Sequence, residues 1–165
     1  MRPFRARGGD VVAHLDPAEA GILGLLLDQL EQLLTADAED VAGDPVMARL
    51  LPEGHRGDPE LAADYRELTE SSLRSGKADD LATMRASLPP DGGDVRLDAD
   101  RAGSWLRTTN DLRLALGTRL DVSEDTEPPD EVTGEQDQQL AVYYWLTALQ
   151  GSLVDALVDG RAGRR

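Results

Sequence analysis

The sequence predicts a mainly α protein, a single-domain bundle of four to five helices with a small N-terminal β-hairpin. Three observations lead there. The apolar content is mostly Leu and Ala, with one Phe and one Ile, a balance that favours helix over sheet. Three Asp-Pro pairs, at Asp16, Asp44 and Asp58, each place a capping carboxylate before a proline suited to the first helical position. The segment from Leu140 to Val158 repeats Val142, Leu146, Leu149, Leu153 and Leu157 at helical spacing. Tyr143, Tyr144 and Trp145 widen its apolar face, as in a helix at the centre of a bundle. A chain of 165 residues buries roughly 70% of its unfolded surface, enough for a core without metals or crosslinks.

The division expected is one domain over residues 1–165: a β-hairpin at 1–15, helices over 16–120, an acidic flexible loop at 121–137 and a C-terminal core helix at 138–159. In the hairpin, Pro3 to Arg7 and Asp10 to Leu15 flank Gly8-Gly9, a pair that accepts the positive φ of a two-residue turn. Phe4, Val11 and Val12 are its apolar contributors. Two strands alone are marginal in water, and Val95-Arg96-Leu97 offers a third.

Asp16-Pro17-Ala18-Glu19 has the spacing of a capping box and starts a helix to about Leu34, with Leu23, Leu26, Leu27, Leu30, Leu33 and Leu34 inward. Asp44-Pro45 starts a short helix that stops before Pro52. Asp58-Pro59 starts another, with Leu61, Tyr65 and Leu68 inward, and Gly76 either breaks or only weakens it. Leu81, Met84 and Leu88 continue the pattern until Pro89-Pro90. Asp98 caps a long helix through Leu120, built on Trp105, Leu112, Leu116 and Leu120. The stretch from Asp121 to Asp137 holds eight carboxylates, no basic residue and Pro128-Pro129, the composition of a solvated connection.

Charge narrows the function classes. The formal net charge is −15, a mean field that repels phosphate, so nucleic acid is not an expected partner. Sixteen of the seventeen basic residues are Arg, scattered except near the two ends. No cysteine is present, which excludes thiolate nucleophiles, disulfides and cysteine-ligated metal. The opening carries no secretory signal, and the longest apolar block, Ile22 to Leu27, is too short for a bilayer of about 30 Å. The expectation is a cytoplasmic protein without membrane contact.

Three segments together, the hairpin running into EAGILGLLLDQLEQLL, then WLRTTNDLRLALGTRLDVSED, then YYWLTALQGSLVDAL, resemble an actinobacterial family known only as a domain of unknown function. The resemblance implies no catalytic residues. It implies a gene neighbourhood shared with the adaptor of the Clp protease, hence a hint of proteolytic regulation.

No constellation demands chemistry. His14 lies on the hairpin and His55 in a Gly-flanked loop, without the His pairing of a metal site. Asp16 and Glu19, near His14, are already explained as caps. The acidic connection lacks the glycine-punctuated spacing of a calcium loop. Ser104 follows Gly103 without a nucleophile elbow and is expected to bond locally within its helix. Leu112 to Thr126 imitates a helix-turn-helix, but carboxylates and prolines stand where a recognition helix belongs. Metal, cofactor and catalytic residues are therefore all expected to be none.

One polar set remains: Asn110, Arg113 and Arg119 on the long helix, with Tyr144 and Gln150 on the last. Antiparallel packing would bring Arg113 and Tyr144 to a shared groove. The structural reading is an ion-pair network using Asp111, Asp121 or Asp155; the functional one is an Arg-lined pocket for a partner's carboxylate. Two functions follow. One is a non-enzymatic interaction or regulatory protein, with a protein partner or a second copy on surplus apolar surface of the last helix. The other is a small-molecule-binding regulator or enzyme with an inter-helix pocket around Arg113.

Overall fold

A computed structural model describes residues 2–36, 43–51 and 59–162, with the side chains of 2 and 59–70 excepted. The chain runs β1 (Arg2–Arg7), β2 (Asp10–Leu15), α1 (Pro17–Thr35), α2 (Pro45–Leu50), α3 (Pro59–Ser87), β3 (Gly93–Leu97), α4 (Ala99–Arg119) and α5 (Glu135–Ala162). Leu61, Tyr65 and Leu68 have side chains outside the described residues, as does His55 altogether.

The strands form an antiparallel sheet in the order β1-β2-β3. Arg7 pairs with Asp10 across Gly8-Gly9, and Gly8 takes φ 62°. The third strand is longer than the three residues read from sequence and pairs Val11 with Leu97 through Leu15 with Gly93. Alternation sorts the faces: Phe4, Val11, Ala13, Leu15, Val95 and Leu97 point into the core, whereas Arg5, Arg7, His14 and Arg96 point out. The sheet is pinned to the start of α1 at one spot. Gly92 has φ 86°, and a Cβ there would lie 2.8 Å from the Pro17 nitrogen and 2.9 Å from the Asp16 carbonyl carbon. Only glycine fits that approach.

Caps behave as the sequence predicts. Asp16 accepts from the Glu19 N–H at 2.7 Å while the Asp16 N–H donates to Glu19 Oε1 at 2.9 Å, a complete capping box. Asp44 and Asp98 cap α2 and α4. Gly76 does not break α3, which runs 29 residues to Ser87; a single helical glycine costs only about 1 kcal/mol, which packing of the flanking turns offsets.

Two expectations about burial change. Leu26 and Leu33 sit at the flank of the core rather than in it, because α1 packs along Leu23, Leu27, Leu30 and Leu34 only. The helix at the centre is α4, not α5: α4 packs against α1, α2, α3, α5 and the sheet. Trp105 is its fully buried anchor, edge-on to Phe4 with ring centroids 5.8 Å apart and its indole N–H on Ser87 Oγ at 2.7 Å. α5 begins a turn earlier than expected and buries Leu146, Leu149, Leu153 and Ala156 against α4 and β1. Its opposite side is open, with Val154 and Val158 exposed.

Candidate functional site

The five polar residues singled out from sequence do not form one site. Three of them meet between α4 and α5, which pack antiparallel. Arg113 Nη1 donates to Gln150 Oε1 at 2.9 Å, and Gln150 Nε2 donates to Asn110 Oδ1 at 3.4 Å. Arg113 therefore finds an amide, not the carboxylates of Asp111, Asp121 or Asp155, and its Nε is buried without a hydrogen-bond partner. Tyr143, rather than Tyr144, shares a hollow with Arg113. The hollow holds about 230 Å³ beside Arg49, Gly117 and Asp121. Gly117 lets the helices close here, since a Cβ on it would meet Tyr143 Cε2 at 2.9 Å.

Tyr144 serves the connection instead: its hydroxyl donates to the Thr126 carbonyl at 2.8 Å. Residues 120–134 hold no helix, so nothing follows α4 that could read DNA as a recognition helix would. Arg119 points the other way, toward α1, and donates to Gln29 Oε1 at 3.2 Å.

The ion pairs lie on α4's other flank, where sequence reasoning did not look. Lys77, the chain's single lysine, donates to both oxygens of Asp111 at 2.9 and 3.0 Å. Burial pushes the Asp111 carboxyl above the usual carboxylate range; the Lys77 bond and charge pull it back without cancelling that. One turn away, Asp80 accepts from Arg107 at 2.8 and 3.0 Å and from Ser104 Oγ at 3.0 Å. Arg107 holds the Asp80 carboxyl below its ordinary range, helped by Ser104 and Lys77 against desolvation. Ser104 thus bonds across to α3, not within its own helix. The sequence signal was available: a lone lysine, with Asp80, Ser104, Arg107 and Asp111 at three- and four-residue steps on facing helices.

His14 Nδ1 lies 2.7 Å from Asp94 Oδ1 across the β2/β3 pairing, on the outer sheet face. Among the described residues no group of three or more His, Asp or Glu side chains is placed to hold a metal ion. None of the described helices is long and apolar enough to cross a membrane.

The largest apolar concavity is a groove that neither the polar set nor the aromatic run announced. Ile22, Leu25, Leu26 and Gln29 of α1 form one wall, and Glu135, Gln138, Gln139, Ala141 and Val142 of α5 the other. Leu116 and Arg119 close its floor and end, Val132 overhangs it, and it encloses about 630 Å³. Leu25 is 59% exposed and Val132 53%, the two most open large apolar side chains beside Val158. The unbroken run from Ile22 to Leu27 carries more apolar surface than one core-facing stripe needs, so the surplus lies on α1 rather than on the aromatic segment of α5. Tyr143 and Trp145 pack against the core.

Comparison with known proteins places the fold in its family. Residues 1–157 match the domain of unknown function DUF2017. The chain belongs to that family. Proteins of Mycobacterium tuberculosis and Mycobacterium bovis named oxidative stress regulator AosR are each 29% identical to it over 168 residues, covering 93% of this chain and 76% of theirs. A Mycobacterium leprae protein provisionally given the same name is 31% identical over 172 residues, covering 89% of this chain and 78% of its own. No solved structure matches significantly.

Proposed function

We propose that this DUF2017 protein is a regulator that acts by contact with a protein partner, through the α1–α5 groove, and carries out no covalent step itself. The observation that carries the reading is the groove: an apolar trough of about 630 Å³ with Leu25 and Val132 standing open at its rim. Apolar side chains grouped in a concave surface and rimmed by polar ones are what a protein contact uses. The name of the mycobacterial relatives supports a regulatory role. With no cysteine in the chain, an oxidative signal would reach it through a partner and not through its own thiol chemistry.

Within this reading the predicted polar residues divide. Arg119, at the end of the groove, touches the partner; Asn110, Arg113 and Gln150 fix the register of α4 on α5, and Tyr144 anchors the connection. The small-molecule alternative has less support, because the hollow beside Arg113 holds about 230 Å³, below the 300–1,000 Å³ or so usual for ligand pockets. The charge of −15 argues against nucleic acid and anionic membrane as partners and fits a cytoplasmic protein. The gene neighbourhood implied by the family resemblance makes the Clp adaptor one partner to look for.

The test is affinity purification of the tagged chain from an actinobacterial host, with and without oxidant, beside the double variant Leu25→Ser/Val132→Ser. A defined protein that co-purifies with the parent and is lost from the variant supports the reading. The same co-purifying set with both proteins sinks it.

A further inference from the structure

The surroundings of the groove specify what it takes, and this inference rests on the groove being the contact surface. Beside it runs the connection from α4 to α5. Asp121, Glu124, Asp125, Glu127, Asp130, Glu131 and Glu135 are exposed there, and none is in an ion pair among the described residues. Elsewhere the molecule does match its charges: Asp10 with Arg96, Asp28 and Glu31 with Arg85, Asp80 with Arg107. The apolar trough is thus bordered by seven carboxylates without a cation of their own.

We propose that the groove binds an amphipathic helix of a protein partner, apolar on one face and rich in Lys or Arg along its flanks. The shape argues for a helix. The α1 wall, Ile22 to Gln29, extends over about two turns, or roughly 10 Å, and so does the α5 wall; two helices side by side leave a furrow that fits a third with apolar anchors at i, i+4 and i+7. The charge argues for basic flanks. A cationic partner relieves repulsion among the seven carboxylates and is drawn to them on approach. A second copy of this chain is the wrong occupant: a two-fold contact through the groove would set the two acidic connections against each other. An anionic lipid surface is repelled for the same reason.

The experiment uses the full chain and three designed probes: a labelled 14-residue Leu/Lys amphipathic helix, a Leu/Gln analogue with the same apolar face, and a Leu/Glu analogue. Binding is followed by fluorescence anisotropy at about 50 and 500 mM salt. The proposal expects the Lys probe to bind at least tenfold tighter than the Gln probe at low salt, with that advantage gone at high salt, and the Glu probe to bind weakest. Leu25→Ser/Val132→Ser should weaken the Lys probe tenfold or more. Glu127→Gln/Asp130→Asn/Glu131→Gln should bring it toward the Gln probe. Circular dichroism checks that both variants fold.

Equal binding of the Lys and Gln probes overturns the basic-partner proposal but leaves the groove as a contact surface. Lys-probe binding untouched by Leu25→Ser/Val132→Ser means surface charge alone, and overturns it too. Dimerisation of the chain abolished by those substitutions makes a second copy the occupant. No binding by any probe overturns the helix; whether the contact reading falls with it is decided separately, by the co-purification comparison.

Discussion

The two flanks of the molecule treat charge in opposite ways. Between α3 and α4, Lys77 meets Asp111 and Arg107 meets Asp80, each carboxylate answered by a cation within 3.0 Å. Beside the α1–α5 groove, seven carboxylates stand in solvent with no described cation to answer them. The first flank shows what this chain does when a charge serves folding: it buries the acid and brings its partner from the facing helix. The second flank therefore stands out as acid that folding does not use, set next to apolar surface that folding does not use either. That coincidence, more than any single residue, marks the groove as a surface for something else.

The sharpest way to break this comparison is at Asp111. Its side chain is 7% exposed and that of Lys77 21%, so Asp111→Ala leaves an ammonium half out of water with no counter-charge. Breaking a buried pair from one side costs roughly 3–5 kcal/mol; the partial exposure of Lys77 lets water in and brings the expected loss to about 2–3 kcal/mol. Urea unfolding measures it. The double variant Lys77→Met/Asp111→Leu should recover most of the loss, because two apolar groups need no partner. An Asp111→Ala protein as stable as the parent would mean the seam holds nothing, and the contrast between the flanks would collapse.

A smaller effect sharpens the same point through pH. Arg107 holds the Asp80 carboxyl below its ordinary value, so the folded state binds that proton less readily than the unfolded chain. The stabilisation is therefore present above the unfolded pKa of about 3.9 and is lost as pH falls through the lower folded value. Arg107→Met should cost about 1 kcal/mol at pH 7, since Arg107 is 63% exposed and solvent weakens the pair, and close to nothing near pH 2. Asp111 contributes with the opposite sign. Its carboxyl lies above the ordinary range, so its share of stability is greatest below about pH 4 and is lost as pH rises through the folded value. An Arg107→Met penalty that stayed constant from pH 7 to pH 2 would detach Asp80 from the effect.

Much of the fold was legible because its signals are local. Asp-Pro at Asp16 and Asp44, Asp98 before α4 and Gly8-Gly9 between strands each specify backbone geometry within four residues, and the structure follows them. Contacts between distant helices were less legible. Arg113, Gln150 and Asn110 do converge, because antiparallel packing of two long helices is predictable from a short periodic pattern, but which group answers Arg113 depends on axial offset, which periodicity does not encode. Lys77 and Asp111 are 34 residues apart, and only the packing of α3 on α4 brings them together. The groove was missed for a different reason. Surplus apolar residues were visible on both α1 and α5, and aromatic bulk made α5 look the richer, yet Tyr143 and Trp145 are absorbed by the core while Leu25 is not.

The smallest expected change in stability belongs to the acidic connection. Glu127→Gln/Asp130→Asn/Glu131→Gln removes three of the seven carboxylates, and none of the three is bonded to a described cation. Substitutions of this kind shift stability by no more than about 0.5 kcal/mol. The direction should depend on salt. At about 0.1 M the Debye length is near 10 Å and neighbouring carboxylates already barely sense one another, so thermal unfolding should match the parent. At 0.01 M the length grows to about 30 Å, repulsion along the connection is felt, and the variant should unfold slightly later than the parent. A variant that unfolds earlier at both salts would show that these carboxylates make contacts the folded chain needs. They would then belong with Asp80 and Asp111 as framework, and the groove would lose the charged border that distinguishes it from the rest of the surface.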